Sequence, residues 1–318
     1  MRLRVSHTTR YVYPWPAKDS YNELRLMPLS DGDQTCLDFR LTPTPRVPVF
    51  AYDLPSGRVH HFTVREPHRE LIIQADSLVV TRSVNPFARL QLISPDMEFY
   101  DSEATRQRHY EFLLPTERVP FVEETERIAL VAQKQSSGSA ASFLIALTRL
   151  LHRVFTYAPG ATNVNTSILQ VLEQKQGVCQ DFAHLMLAVC RKRGIPARYI
   201  SGYLYTGAEK EDESEFNLAD DEHDSAEKRW RDGRDGPRTG GAARALVSGN
   251  AMHAWVECLL PGEQWVGFDP TNNLVVNAHY IKSHFGRDYS DVTPVRGLYR
   301  GPAADALDVG VRVTLEQS

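Results

Sequence analysis

The sequence predicts an α+β protein in which an antiparallel β-sandwich precedes a core of helices and strands. Residues 1 to about 95 alternate between apolar and polar side chains, and turn signals such as Pro55-Ser56-Gly57 divide them into short strands. Apolar residues then recur at helical spacing between about 123 and 155. Strand patterns return on both sides of Pro261-Gly262. Strands grouped at the start and helices grouped later favour two domains over an alternating α/β fold.

The chain is long enough for two domains, since it has 318 residues, of which 42% are hydrophobic. We expect a β-rich domain at 1–100, a core domain at 101–300 and a C-terminal tail at 301–318. Valines alternate with other residues in the tail, so we expect a strand there that returns to one of the sheets.

The segment 208–249 differs from the rest of the core domain, because it is hydrophilic, acidic in its first half and basic in its second. So few apolar side chains cannot offset the entropy lost on ordering, and we therefore predict a mobile insertion. The insertion ends shortly before His253. Two interpretations stay open: a lid over a site, or a solvated excursion without function.

Charge and cysteine content limit the partners, metal sites and location that we expect for this chain. The chain has 36 basic and 40 acidic residues, which gives no electrostatic reason to expect a nucleic acid or a membrane surface as partner. Its four cysteines are too scattered for a disulfide framework and lack the spacing of a zinc site. We therefore expect no metal and a cytoplasmic location. No stretch has the length of an apolar membrane span.

The stretch 177–184 begins an apolar helix and places Cys179 in its first turn. Residues 182–190 are apolar on almost every face, which is typical of a buried helix, and Arg193-Gly194-Ile195-Pro196 is a stop signal. Unpaired N–H groups at a helix start stabilise a thiolate, so Cys179 is a candidate nucleophile. His184 lies too far around the helix to share the face of Cys179.

Residues 251–258 and 264–271 are predicted to form a hairpin, whose short turn places His253 opposite or beside Asp269. A cysteine at a helix start, a histidine on a strand and an aspartate on the next strand form the nucleophile, base and orienting group of acyl transfer. We therefore predict that Cys179, His253 and Asp269 are a catalytic triad. This chemistry proceeds through a thioester and requires no metal or organic cofactor.

Three motifs of this sequence also resemble the bacterial transglutaminase-like proteins. They are Gly-Val-Cys-Gln-Asp-Phe-Ala at 177–183, Met-His-Ala-Trp-Val-Glu at 252–257 and Gly-Phe-Asp-Pro-Thr-Asn at 267–272. The resemblance extends over roughly residues 150–300, and the segments 7–11 and 22–26 resemble the β-rich domain that such proteins often carry in front. It implies a papain-like core and the same three residues as its triad.

Two further site residues follow from the position of the motifs. Tyr157 belongs to a segment that shares the resemblance, so it is our candidate for a second oxyanion donor beside the Cys179 backbone N–H. Trp255 follows His253 by two positions on the predicted strand. We expect its indole to pack beside the triad, as a wall of the site or as core filler.

Three functions remain open on this basis. The first and favoured one is a cysteine hydrolase or peptidase acting on a peptide or protein, since water is the default acceptor for an accessible thioester. The second is a protein-glutamine transglutaminase that passes the acyl group to an amine. The third is a non-catalytic binding protein on the same fold, against which the intact triad argues. The sequence does not determine the oligomeric state.

Overall fold

The computed structural model describes residues 1–82, 85–91, 98–207 and 251–316, so the predicted insertion at 208–249 lies outside the described residues. The strands are β1 (Arg2–Leu24), β2 (Gln34–Thr44), β3 (Phe50–Leu54), β4 (Gly57–Val64), β5 (His68–Thr81), β6 (Thr156–Tyr157), β7 (Gln176–Gly177), β8 (Ala197–Leu204), β9 (His253–Leu260), β10 (Gln264–Asp269), β11 (Leu274–Val275), β12 (Tyr280–Gly286), β13 (Val295–Arg300) and β14 (Ala306–Leu315). The α-helices are α1 (Pro86–Gln91), α2 (Glu98–Asp101), α3 (Glu103–Arg108), α4 (Glu123–Lys134), α5 (Ala140–Val154), α6 (Ile168–Gln174), α7 (Cys179–Lys192) and α8 (Tyr289–Val292), with a 3-10 turn at Tyr110–Phe112.

The N-terminal region is one antiparallel sheet organised around the 23-residue strand β1. The first half of β1 pairs with β5, the second half pairs with β4, and the register breaks between Val12 and Ala17. Apolar side chains of β4 and β5, such as Phe62 and Ile73, nevertheless share one buried cluster. The two halves of the sheet therefore pack against each other, and this confirms the predicted antiparallel β domain.

The C-terminal residues return to this first sheet. Strand β14 runs antiparallel to β1 from Leu3 to Val12, and β13 pairs with β1 between Lys18 and Leu24. Both strands lie on the side of β1 that faces away from β4 and β5. The two ends of the described chain are thus joined by one ladder of hydrogen bonds.

The core domain is a five-stranded antiparallel sheet in the order β11-β10-β9-β8-β12, with helices packed on one face. Helix α7 lies against β9 and between α4, α5 and α6, and residues 180–191 are buried without exception. It is followed by Gly194, which adopts a positive φ of 76° and ends the helix as the stop signal predicts. This arrangement confirms the predicted α+β class. Within the described ranges, no helix is long and apolar enough to cross a membrane.

The two domains contact each other along β12. The main-chain N–H of Lys282 donates to Gln34 Oε1 at 2.7 Å, and the Gln34 side-chain amide donates to the Lys282 carbonyl at 2.8 Å. Nearby, the hydroxyl of Tyr203 donates to the carbonyl of Leu26 at 3.0 Å. These buried hydrogen bonds fix the sheet that carries the candidate site against the N-terminal domain.

Candidate functional site

Cys179 is the first residue of α7, and the side chain of Asp181 holds the backbone of the residue before it, Val178. The Asp181 carboxylate accepts hydrogen bonds from the Val178 N–H at 2.8 Å and from the Thr162 hydroxyl at 2.6 Å. A Cβ at Gly177 would lie 2.7 Å from Asp181 Oδ2, so only glycine allows this close approach. The first turn of the helix and the preceding loop are therefore fixed together around the thiol.

His253 is the first residue of β9 and Asp269 the last residue of β10, so they meet where these two neighbouring strands begin and end. The β9–β10 turn leaves three residues between the paired Leu260 and Gln264, and Glu263 in that turn has a positive φ of 61°. His253 Nε2 and Asp269 Oδ2 are 2.7 Å apart, and both side chains are almost completely buried. The imidazole and the carboxylate are therefore neighbours in the structure, as the predicted hairpin requires.

Four further hydrogen bonds orient the Asp269 carboxylate. Its Oδ1 accepts from the backbone N–H groups of Thr271 at 2.8 Å and Asn272 at 3.2 Å. Its Oδ2 accepts from the Asn272 side-chain amide and from the Tyr280 hydroxyl, each at 2.7 Å. Neither side chain is predicted from the sequence as a site residue, although Asn272 is the last residue of the motif at 267–272. No sequence signal marks Tyr280, because it arrives from the far edge of the sheet.

The charges at this site favour a protonated imidazole. Burial alone lowers the pKa of His253, but the charge of Asp269, the hydrogen bond to it and the Cys179 side chain outweigh burial and raise that pKa to about 10. Burial likewise opposes the ionised form of Asp269, yet His253 and the other donors hold the pKa of the carboxyl below its usual range. Since Nε2 is engaged by Asp269, Nδ1 is the ring nitrogen left for the thiol.

Tyr157 and Trp255 both lie at this site. Tyr157 is half-buried on β6, and burial followed by the nearby charges of Cys179 and Asp269 raises its pKa. The Trp255 ring stacks beside the imidazole of His253 with centroids 6.2 Å apart, and its indole N–H has no hydrogen-bond partner among the described residues. Trp255 is itself buried in an apolar cluster, so its ring packs against one side of the imidazole as part of the core.

His184 is separated from this chemistry. Burial lowers its pKa to about 3, and its Nε2 accepts a hydrogen bond from the Tyr289 N–H at 3.3 Å. The neutral imidazole thus anchors the start of α8. The Tyr199 ring lies 5.3 Å from the His184 ring at an angle of 45°. Burial raises the pKa of Tyr199, and Cys179 is the next cause, so this tyrosine, which the sequence does not mark, also lies near the thiol.

No group of three or more His, Cys, Asp or Glu side chains in the described part of the chain could hold a metal ion. The site itself offers a thiol, an imidazole and a carboxylate in series, with backbone N–H groups at a helix start.

Two family models match the chain. The model described as "Transglutaminase-like superfamily" matches residues 129–270, and the model described as "Bacterial transglutaminase-like N-terminal region" matches residues 3–80. The first range contains Cys179, His253 and Asp269. The second coincides with the strands β1 to β5.

Relatives match over the whole length of the chain. An uncharacterized protein of Mycobacterium leprae is 34% identical over 315 residues, which is 98% of each chain. An uncharacterized protein of Mycobacterium tuberculosis is 31% identical over 324 residues, 98% of this chain and 92% of its own. The crystal structure of "a Putative Cysteine Protease from Cytophaga hutchinsonii" superposes with a TM-score of 0.67 at 20% identity, over 100% of this chain and 92% of that one. These similarities confirm the predicted fold, an antiparallel β domain followed by a papain-like, transglutaminase-like core.

Proposed function

The chain belongs to the transglutaminase-like superfamily, and we propose that it is a cysteine hydrolase that cleaves a peptide or amide bond with Cys179, His253 and Asp269. The observation that carries the proposal is the buried contact of 2.7 Å between His253 and Asp269, on an imidazole that also interacts with the Cys179 side chain. A raised imidazole pKa favours transfer of the thiol proton to His253, which leaves a thiolate at the start of α7.

The acylation step follows from this geometry. The thiolate attacks the substrate carbonyl carbon, and the carbonyl oxygen gains negative charge. The Cys179 backbone N–H stabilises that charge, with the Tyr157 hydroxyl as the second donor. The His253 imidazolium then gives its proton to the leaving amine as the C–N bond breaks, and a thioester remains on Cys179. Asp269 keeps the imidazole ring in the orientation that this transfer needs.

In deacylation a second acceptor takes the acyl group. His253, now neutral, removes a proton from water; the resulting hydroxide attacks the thioester and releases the acid and the thiolate. An amine in place of water would give a transglutaminase instead. We favour water because it is present at the highest concentration, and we propose the cytoplasm as location because the four cysteines lack disulfide spacing.

The test uses p-nitrophenyl acetate and intact-protein mass spectrometry. We expect a burst of nitrophenol and an acetyl adduct on Cys179, absent from Cys179→Ala and retained by Cys36→Ser as matched control. Deacylation is then followed with and without a fluorescent primary amine. Faster formation of the amide than of acetate would favour transglutamination. A chain that forms no adduct under any of these conditions would contradict acyl transfer.

A further inference from the structure

Strand β14 is a long edge strand that contains neither a proline nor a β-bulge. Among the described residues it pairs only with β1, and its register runs without a bulge from Ala306 to Leu315. The other three edge strands of this sheet are short or interrupted: β2 contains Pro43 and a register shift near its start, β3 has only five residues, and β13 has six. A regular edge of ten residues is a template for another strand.

The ladder shows which main-chain groups of β14 are free. The N–H of Glu316 donates to the carbonyl of Arg2, and the N–H of Thr81 donates to the carbonyl of Met1, so even-numbered residues of β1 bond to β14 and odd-numbered ones to β5. The odd-numbered residues of β14 therefore direct their N–H and C=O groups away from β1. These are Leu307, Val309, Val311, Val313 and Leu315.

The side chains along this edge are apolar where the free groups lie. Leu307 is 56% exposed, Val309 39% and Leu315 45%, whereas Val311 and Val313 are partly buried against a core cluster of their own chain. The opposite face of the strand carries one acid and one base, Asp308 and Arg312, placed symmetrically about Gly310. Exposed apolar side chains beside unpaired backbone groups mark a surface for a strand partner.

We propose that β14 pairs antiparallel with β14 of a second copy of this chain, with a two-fold axis through Gly310. This register places Asp308 opposite Arg312 of the other copy, twice in the dimer, and sets Val309 against Val311 on the other face. The odd-numbered residues exchange the hydrogen bonds, so Gly310 meets its copy at a non-bonded position, where strands approach most closely. A residue without a side chain fits that point.

Charge complementarity selects this occupant and this register. Shifting the axis to Val309 or Val311 also allows a ladder, but it breaks the match between Asp308 and Arg312. Asp308 already lies 3.6 Å from Arg10 of its own chain, with both side chains exposed. In the dimer, Arg312 of the other copy would give the Asp308 carboxylate a second cation. The N-terminal sheets of the two copies would then form one continuous sheet across the dimer.

Sedimentation velocity of the full chain over a concentration series tests the proposal. We expect a species of twice the 36.0 kDa chain mass. Val309→Pro removes an outward N–H and leaves the bonds to β1 intact, so it should weaken the dimer more than about tenfold in Kd with an unchanged melting temperature. Arg312→Asp should also weaken the dimer, and adding Asp308→Arg should restore it.

Cross-linking tests the position of the axis. In Gly310→Cys the two new thiols face each other with Cα atoms about 4.5 Å apart, so a mild oxidant should give a covalent dimer. The matched control Thr314→Cys keeps the match of Asp308 with Arg312, separates the new thiols by about 27 Å and should stay uncross-linked. A chain that remains monomeric at all concentrations, a dimer that Val309→Pro does not weaken, or equal cross-linking of both cysteine variants would overturn the proposal.

Discussion

Glu257→Gln is expected to lower the free energy of unfolding by about 3 kcal/mol at pH 7, because it removes the anion that two largely buried cations share, and only Lys282 keeps another carboxylate, Asp31 at 3.0 Å. Glu257 lies on β9 with 5% of its side chain exposed. Its carboxylate accepts from Arg198 Nε at 2.8 Å and Nη2 at 2.6 Å, and Lys282 Nζ lies 2.5 Å from the other oxygen. Arg198 is itself held between the rings of Trp265 and Phe285, so it cannot move into water.

The loss should depend on pH in a defined direction. Burial opposes ionisation of Glu257, but Lys282 and Arg198 outweigh it and lower its pKa. Because the pKa is lower in the folded chain, this stabilisation is complete above the unfolded value of about 4.3 and disappears as the pH falls through the folded pKa. The difference between wild type and Glu257→Gln should therefore be constant from pH 7 to 5 and shrink below about pH 4.

Urea unfolding at several pH values measures both effects. Glu70→Gln is the matched control, since Glu70 pairs with Arg10 at 2.6 Å where both side chains are exposed, and its loss should be below about 1 kcal/mol. If Glu257→Gln costs no more than the control, or costs the same at low pH as at pH 7, the buried charges do not stabilise the sheet as argued.

Two further predictions concern the site. Gly177→Ala should destabilise the chain by about 1–3 kcal/mol and slow reactions of Cys179, because the new methyl would displace Asp181. The control Gly32→Ala, whose Cβ has no atom within 4 Å, should change neither the stability nor the reaction rate. Equal melting temperatures for both variants would refute the close contact. Acylation by a peptide substrate should slow as the pH rises through about 10, where His253 loses the proton that the leaving amine needs, and a rate that stays level to pH 11 would show that the imidazolium takes no part.

The sequence predicts those parts of the site that local patterns encode. The apolar run after Cys179 predicts a buried helix, and Pro261-Gly262 predicts a hairpin that joins His253 to Asp269. Tyr280 could not be foreseen, since it reaches Asp269 from β12 and no spacing rule relates those two strands. The return of β14 to β1 spans nearly the whole chain, and alternation alone indicates a strand without naming its partner.

Selective alkylation of Cys179 tests the central claim most directly. Burial raises the pKa of Cys36 to about 11 and raises that of Cys258 as well, whereas Cys179 stands at a helix start beside a protonated His253. At about pH 6, a small alkylating reagent should therefore label Cys179 far faster than the other cysteines, as read by peptide mass spectrometry on the native chain.

The variants separate activation from simple accessibility. His253→Ala should remove most of the advantage of Cys179, and Asp269→Asn should keep the fold and reduce it less, because the aspartate acts on the thiol only through the imidazole. Labelling of Cys179 no faster than Cys36, or at an unchanged rate in His253→Ala, would contradict a thiolate activated by His253.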